Sequence, residues 1–182
     1  MIVVTSIVSA NNLQAMQALA ETAPLGCFVE VGVYKGGSAS VLYNVAIRQG
    51  RELHLFDTFT GTPCSIDGLD PHKVDDEFAA PNAPKAIGYW MPAAKLHIGI
   101  YPATHPAELA DIAFIHCDCD QYESYRAVIE KMWPLVVHEG ILLFDDYPYL
   151  PGAKKAVEET FMLSDLQQSG SRFYVVKGHT IG

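Results

Sequence analysis

The sequence predicts an α/β fold, a doubly wound and mostly parallel sheet with helices on both faces. Three observations carry that expectation. Apolar runs of strand length alternate with amphipathic segments of helical spacing along most of the chain. Pro or Gly closes most of the helical segments. Strand-like runs end in acids at Glu30, Asp57, Asp118, Asp145 and Asp146, and open parallel sheets bind ligands beyond the carboxyl ends of their strands.

The elements follow in order. Leu13, Met16, Leu19 and Ala20 share one helical face between Asn11 and Ala23, with Asn11 or Asn12 as the cap and Pro24 as the stop. Cys27 to Val31 reads as the first strand. Ser38 to Gln49 reads as a helix that buries Val41, Leu42 and Val45 and ends at Gly50. Strands are expected at Leu53–Phe56, Leu96–Ile98 and Ile112–Cys117. A helix over Ser124–Trp133 turns Tyr125, Val128, Ile129 and Met132 inward and stops at Pro134. Ile141–Phe144 is the next strand, Ala153–Leu163 a helix and Arg172–Val176 the last strand. Residues 61–92 break the rhythm, with five of the eleven prolines and the acids Asp67, Asp70, Asp75, Asp76 and Glu77. So long a loop inside a domain is either an active-site cover or a surface excursion used in subunit contacts.

A chain of 182 residues fits one domain, since roughly 100–200 residues per domain is usual. With 49% hydrophobic and 18% charged residues it can fill a core. A net charge of -9 argues against nucleic acid, which is bound by neutralising phosphates with Lys and Arg. No apolar run approaches the ~20 residues of a membrane helix, and no Lys or Arg precedes Lys35 to form a signal-peptide n-region. A cytoplasmic protein with no membrane partner is expected. Cys27, Cys64, Cys117 and Cys119 show no CxxC spacing, and read as core thiols in preference to zinc ligands.

The turn Glu30-Val-Gly-Val-Tyr-Lys-Gly-Gly-Ser38 fits neither pattern for a phosphate cradle. Tyr34 stands where a dinucleotide fingerprint has its second Gly, and the Gly-Lys-Ser/Thr ending of a P-loop is absent. A ligand without phosphates, carrying a cationic group, suits it better. Asp57, 25 positions after Gly32, stands where a ribose diol is bound in related sheets; its other reading is a loop-capping Asp. Asp118-Cys-Asp120 and Asp145-Asp146 are acidic pairs at two strand ends, where a divalent cation offsets the cost of crowding carboxylates together. These features point to a metal-assisted transferase.

Five segments in this order closely resemble the macrocin-type sugar O-methyltransferases (the TylF/MycF family) of the class I S-adenosylmethionine enzymes. They are Glu30–Ser38, Asp57-Thr-Phe-Thr-Gly-Thr-Pro63, His116-Cys-Asp-Cys-Asp-Gln-Tyr-Glu-Ser124, Gly140-Ile-Leu-Leu-Phe-Asp-Asp-Tyr147 and Pro151-Gly-Ala-Lys-Lys-Ala156. The resemblance implies a Rossmann-like sheet of the class I methyltransferase type and methyl transfer to a hydroxylated small molecule. It implies magnesium held by Asp118, Asp145 and Asp146. It implies S-adenosylmethionine held by Asp57 and by Glu30, Gly32, Tyr34, Gly37 and Ser38, with His97 on the adenine side. Family members carry longer N-terminal segments that help enclose the acceptor, whereas about 26 residues precede the first strand here.

For the chemistry, Asp118 or Asp120 is the candidate to take the hydroxyl proton. His116 shares a strand face with Asp118, so it either orients that carboxylate, contacts the acceptor, or is a satisfied buried histidine. Two other functions fit parts of the pattern. Asp118-Cys-Asp120 matches the DxD of metal-dependent glycosyltransferases, which have no use for the glycine turn with Asp57. A methyltransferase-like binding module is the non-catalytic alternative. A homodimer is a reasonable assembly.

Overall fold

The computed structural model describes residues 6–72 and 78–178; Asp75, Asp76 and Glu77 of the acidic stretch lie outside them. Among the described residues seven strands form one sheet: β1 (Cys27–Val31), β2 (Leu53–Asp57), β3 (Lys95–Ile98), β4 (Ile112–Cys117), β5 (Val136–Phe144), β6 (Gln167–Ser169) and β7 (Arg172–Val176). Their order is β3-β2-β1-β4-β5-β7-β6. The pairings from β3 through β5 are parallel, and β7 is antiparallel to both β5 and β6. The order reverses between β1 and β4, so a crevice opens there at the strands' carboxyl ends.

Alternation along the strands supplies two cores. Phe28, Leu55, Phe114 and Leu143 pack under α1 (Ala10–Thr22), α2 (Gly37–Gln49) and α3 (Ala83–Trp90). Val29, Val31, Ile115, Leu142 and Phe144 pack against α4 (Tyr122–Met132) and α5 (Pro151–Glu158). Glu30 and His116 interrupt the first of these faces. They stand opposite each other in the β1–β4 register, and both are at most 1% exposed.

Several local expectations are corrected. The cap of α1 is Ser9, whose hydroxyl accepts from the Asn12 amide. Asn12 is instead buried, and its Oδ1 accepts from the amide and hydroxyl of Ser171. That bond fastens α1 to the β6–β7 turn. β5 starts at Val136, five residues before the expected Ile141. The register shift opposite Ile112/Phe114 and the positive φ of Glu139 (63°) mark an irregular, partly exposed first half that its polar residues disguised. The stretch read as a loop contains α3, where Pro84 fits the first turn and Ile87 is fully buried. α5 ends at Glu158 instead of Leu163. Among the described residues no helix is long and apolar enough to cross a membrane.

Candidate active site

The first component of the site is the turn after β1. Gly32 has φ 91°, and a Cβ there would lie 1.6 Å from the carbonyl oxygen of Asp118. Only glycine lets the β1 turn close onto the end of β4. Asp57 holds the turn from the other side. Its Oδ2 accepts the amides of Val33 (2.6 Å) and Tyr34 (2.7 Å), and its Oδ1 accepts the amide of Phe59 (2.6 Å). Tyr34 itself sits at φ 51°. Asp57 therefore organises the loop, as its capping reading expects, and it also lines the cleft.

The second component is acidic. Ligand oxygens of Asp118, Asp145 and Asp146 lie within 4.8 Å of one another. The backbone brings them together, because the Asp118 amide bonds to Val31 O of β1 and the Asp145 amide to Cys117 O of β4. Tyr125, fully buried on α4, locks the pair of strand ends. Its hydroxyl accepts from the Asp146 amide (3.1 Å) and lies 2.9 Å from both Cys117 O and Asp146 Oδ2. Asp120 (φ 60°) donates its amide to Asp146 Oδ2. The Asp120 side chain faces the cleft, with His72 Nε2 3.8 Å away.

Behind the carboxylates runs a chain of opposite charges. Glu30 Oε1 meets His116 Nδ1 at 2.9 Å, and His116 Nε2 lies 3.5 Å from Asp145 Oδ1. Arg172 then grips Asp145 with two bonds, Nε to Oδ1 at 2.9 Å and Nη2 to Oδ2 at 2.7 Å. Burial disfavours a charged His116, but Asp145 and Glu30 outweigh it and raise the imidazole well above its usual pKa. Burial also opposes a charged Asp145, yet His116 and Arg172 hold its carboxyl below the ordinary range. The remaining carboxylates go the other way. Burial and then Asp145 push Asp118 well up, and burial with Asp120 and Asp145 pushes Asp146 up to about 7. A cluster with this much unrelieved repulsion is the donor set a hard divalent cation fits.

A second grouping, Glu30, His116 and Asp118, also has metal-ligand spacing. Both ring nitrogens of His116 are already engaged, with Glu30 and Asp145. The cluster at the cleft is therefore the better donor set.

Gly32, Tyr34, Gly37, Ser38, Asp57, Asp118, Asp120, Asp145 and Asp146 all line one cleft of about 230 Å³. That is room for a ligand, not a single trapped water of ~30 Å³. Three expected site residues do not line it. Glu30 and His116 lie beneath it, on the face packed by α1 and α2, where His116 contacts Glu30 and Asp145. His97 belongs to the sheet: its ring stacks on Phe56 (centroids 4.3 Å apart), and its Nε2 bonds to His54 Nδ1 at 3.0 Å. Gly99 and Tyr101 take the cleft position beside β3. From residues 61–92, Gly61, Thr62, Pro63 and Phe78 reach the cleft. Asp70 anchors that stretch by accepting the Tyr122 amide at the start of α4.

Sequence reasoning missed Tyr125 and Arg172. Tyr125 was visible only as one member of an apolar helical face. Arg172 became a site residue through the antiparallel register Phe144↔Phe173, which sets it beside Asp145.

The family model for macrocin-O-methyltransferase (TylF) matches residues 5–169. A similar curated protein is the 8-demethyl-8-(2,3-dimethoxy-alpha-L-rhamnosyl)-tetracenomycin-C 4'-O-methyltransferase of Streptomyces olivaceus, 28% identical over 157 residues. The match covers 75% of this chain and 59% of that relative, so the chain spans well under two thirds of its length. Among solved structures, the O-methyltransferase NovP superposes with a TM-score of 0.81 at 20% identity, covering 96% of this chain and 82% of NovP. The calicheamicin methyltransferase CalS11 gives 0.78 at 24% identity, covering 92% and 79%. Both are likenesses of fold.

Proposed function

This chain belongs to the macrocin-O-methyltransferase (TylF) family, and from that premise we propose that it moves a methyl group from S-adenosylmethionine to a hydroxyl of a sugar or glycoside, with magnesium at Asp118, Asp145 and Asp146. The observation that carries the reading is the meeting of those three carboxylates beside the Gly32 turn, in one cleft. The rhamnosyl acceptor named for the Streptomyces relative supports a sugar as the acceptor class. Family membership also favours methyl transfer over the glycosyltransferase reading of Asp118-Cys-Asp120.

When bound, magnesium supplies a charge that lowers the pKa of a coordinated hydroxyl and fixes its oxygen for in-line attack. The protein's own groups do the rest. The 32–38 turn and the start of α2 offer close backbone approach to the cofactor, and Asp57 takes its ribose. Tyr125 fixes Asp146, and His116 fixes Asp145. Asp120 is our candidate to accept the hydroxyl proton. Its carboxylate faces the cleft, whereas Asp118 is drawn into the metal cluster.

Asp57→Ala tests the cofactor half. Three amides lose their acceptor, so S-adenosylhomocysteine affinity is expected to fall by about 1.5–3 kcal/mol, the scale of a charge-assisted hydrogen bond. Calorimetry with unchanged affinity would remove Asp57 from the cofactor site.

We further propose that residues 61–92 cover the acceptor side, because Thr62, Pro63 and Phe78 wall the cleft. Hydrogen exchange in this stretch is expected to slow when cofactor, magnesium and acceptor bind. Equal exchange in free and liganded protein would make it a surface excursion. The function as a whole is tested by assaying methyl transfer to a panel of deoxysugar glycosides, with magnesium and with excess EDTA. Activity that needs the metal is the expected result. Full activity in EDTA would remove the metal from the mechanism.

A further inference from the structure

Arg172 already occupies one of the three carboxylates to which a divalent cation is assigned. Its guanidinium engages both oxygens of Asp145, and the two side chains are only 17% and 10% exposed, so solvent does little to screen the pair. Asp145 Oδ1 also faces His116 Nε2. Among the described residues, the contacts of this carboxylate leave the second lone pair of Oδ2 open. A cation seated there would share its ligand with a guanidinium at close range, and like charges in a half-buried cleft repel strongly.

Arg172 also has somewhere to go. It lines the cleft, and its guanidinium carbon lies 5.9 Å from the ring centre of Tyr149, an exposed aromatic outside the cleft lining. Its side chain reaches Asp145 from the first residue of β7, across from the end of β5. Release of the carboxylate would need rotation about side-chain bonds of Arg172 and no change of strand pairing.

We propose that Arg172 is the resident counter-ion of the acidic cluster and exchanges with the metal: the fork holds Asp145 in the metal-free protein and lets go as the divalent cation arrives. This rests on the metal reading of the site. The arginine spares the empty cluster part of its repulsion and sets metal affinity below what three unpaired carboxylates would give.

The test is a titration of the purified full chain with Mn²⁺, read by electron paramagnetic resonance of the free ion. Arg172→Gln is expected to bind Mn²⁺ about tenfold more tightly, the equivalent of removing one charge-assisted hydrogen-bonded pair from competition. Arg172→Lys separates exchange from simple net charge. It keeps the positive charge and loses the two-pronged grip, so its affinity should lie between wild type and Arg172→Gln. Melting in EDTA and in Mn²⁺ provides a second readout, with the Gln variant less stable than wild type in EDTA and closer to it in Mn²⁺. Variants that bind Mn²⁺ where wild type binds none support the exchange. Unchanged or weaker binding by Arg172→Gln overturns it and leaves the metal site standing. Tighter binding by the Gln variant with Lys equal to wild type also overturns it, in favour of a field effect. No binding by any of the three removes the metal reading and the exchange together.

Discussion

Replacing Asp118, Asp145 or Asp146 by Asn is expected to cost at least about a hundredfold in turnover, since loss of a group that merely supports a metal ligand already costs ~10–100-fold. S-adenosylhomocysteine affinity should change little, because the glycine turn and Asp57 stay intact. The three variants should part company in stability. Asp118 is a carboxylate under pressure from burial and from Asp145, so Asp118→Asn should leave the metal-free protein as stable as wild type or more so. Asp145 is the partner of both Arg172 and His116. Asp145→Asn should cost about 3 kcal/mol, the penalty of stranding a buried charge. Denaturant melts of the metal-free variants check this. Equal losses for Asp118→Asn and Asp145→Asn would show that the charges are not distributed as described.

Gly32→Ala carries the second large effect. The added methyl would overlap the Asp118 carbonyl, and the backbone there has φ 91°. Relief requires the β1 turn to move off the end of β4, which separates the cofactor half of the site from the acidic half. A loss on the order of 3 kcal/mol in stability is expected from overpacking combined with a disfavoured backbone angle. Cofactor and metal affinity should both fall. A variant that folds with wild-type stability and binds both ligands would contradict the close approach of Gly32 to Asp118.

The central sheet and most of its carboxyl-end residues were legible in the sequence, because both depend on local patterns. Ile112-Ala-Phe-Ile115 is an unbroken apolar run, and the strand expected over Ile112–Cys117 has the bounds of β4. Acids that end such runs must lie at one rim of a parallel sheet, and the cleft collects Asp57, Asp118, Asp145 and Asp146 there. What escaped depends on contacts between distant segments. Glu30 has an acid's sequence position at the end of a strand, but its partner is His116, 86 residues away and directly across the register. The pair therefore sinks under the site instead of facing a ligand. His97 points into the sheet because His54 and Phe56 receive it, which strand periodicity alone does not reveal. Arg172 lies on a strand whose antiparallel insertion beside β5 has no local signature. Helix α3 was hidden by Pro84 and Gly88, residues that usually mark a loop and here stand in a short helix held by the burial of Ile87.

Anomalous diffraction from crystals grown with S-adenosylhomocysteine and Mn²⁺ tests the account most directly. The prediction is one strong manganese peak enclosed by Asp118, Asp145 and Asp146, with the cofactor product seated against the Gly32 turn and Asp57. Clear density for S-adenosylhomocysteine with no manganese between those carboxylates would contradict it.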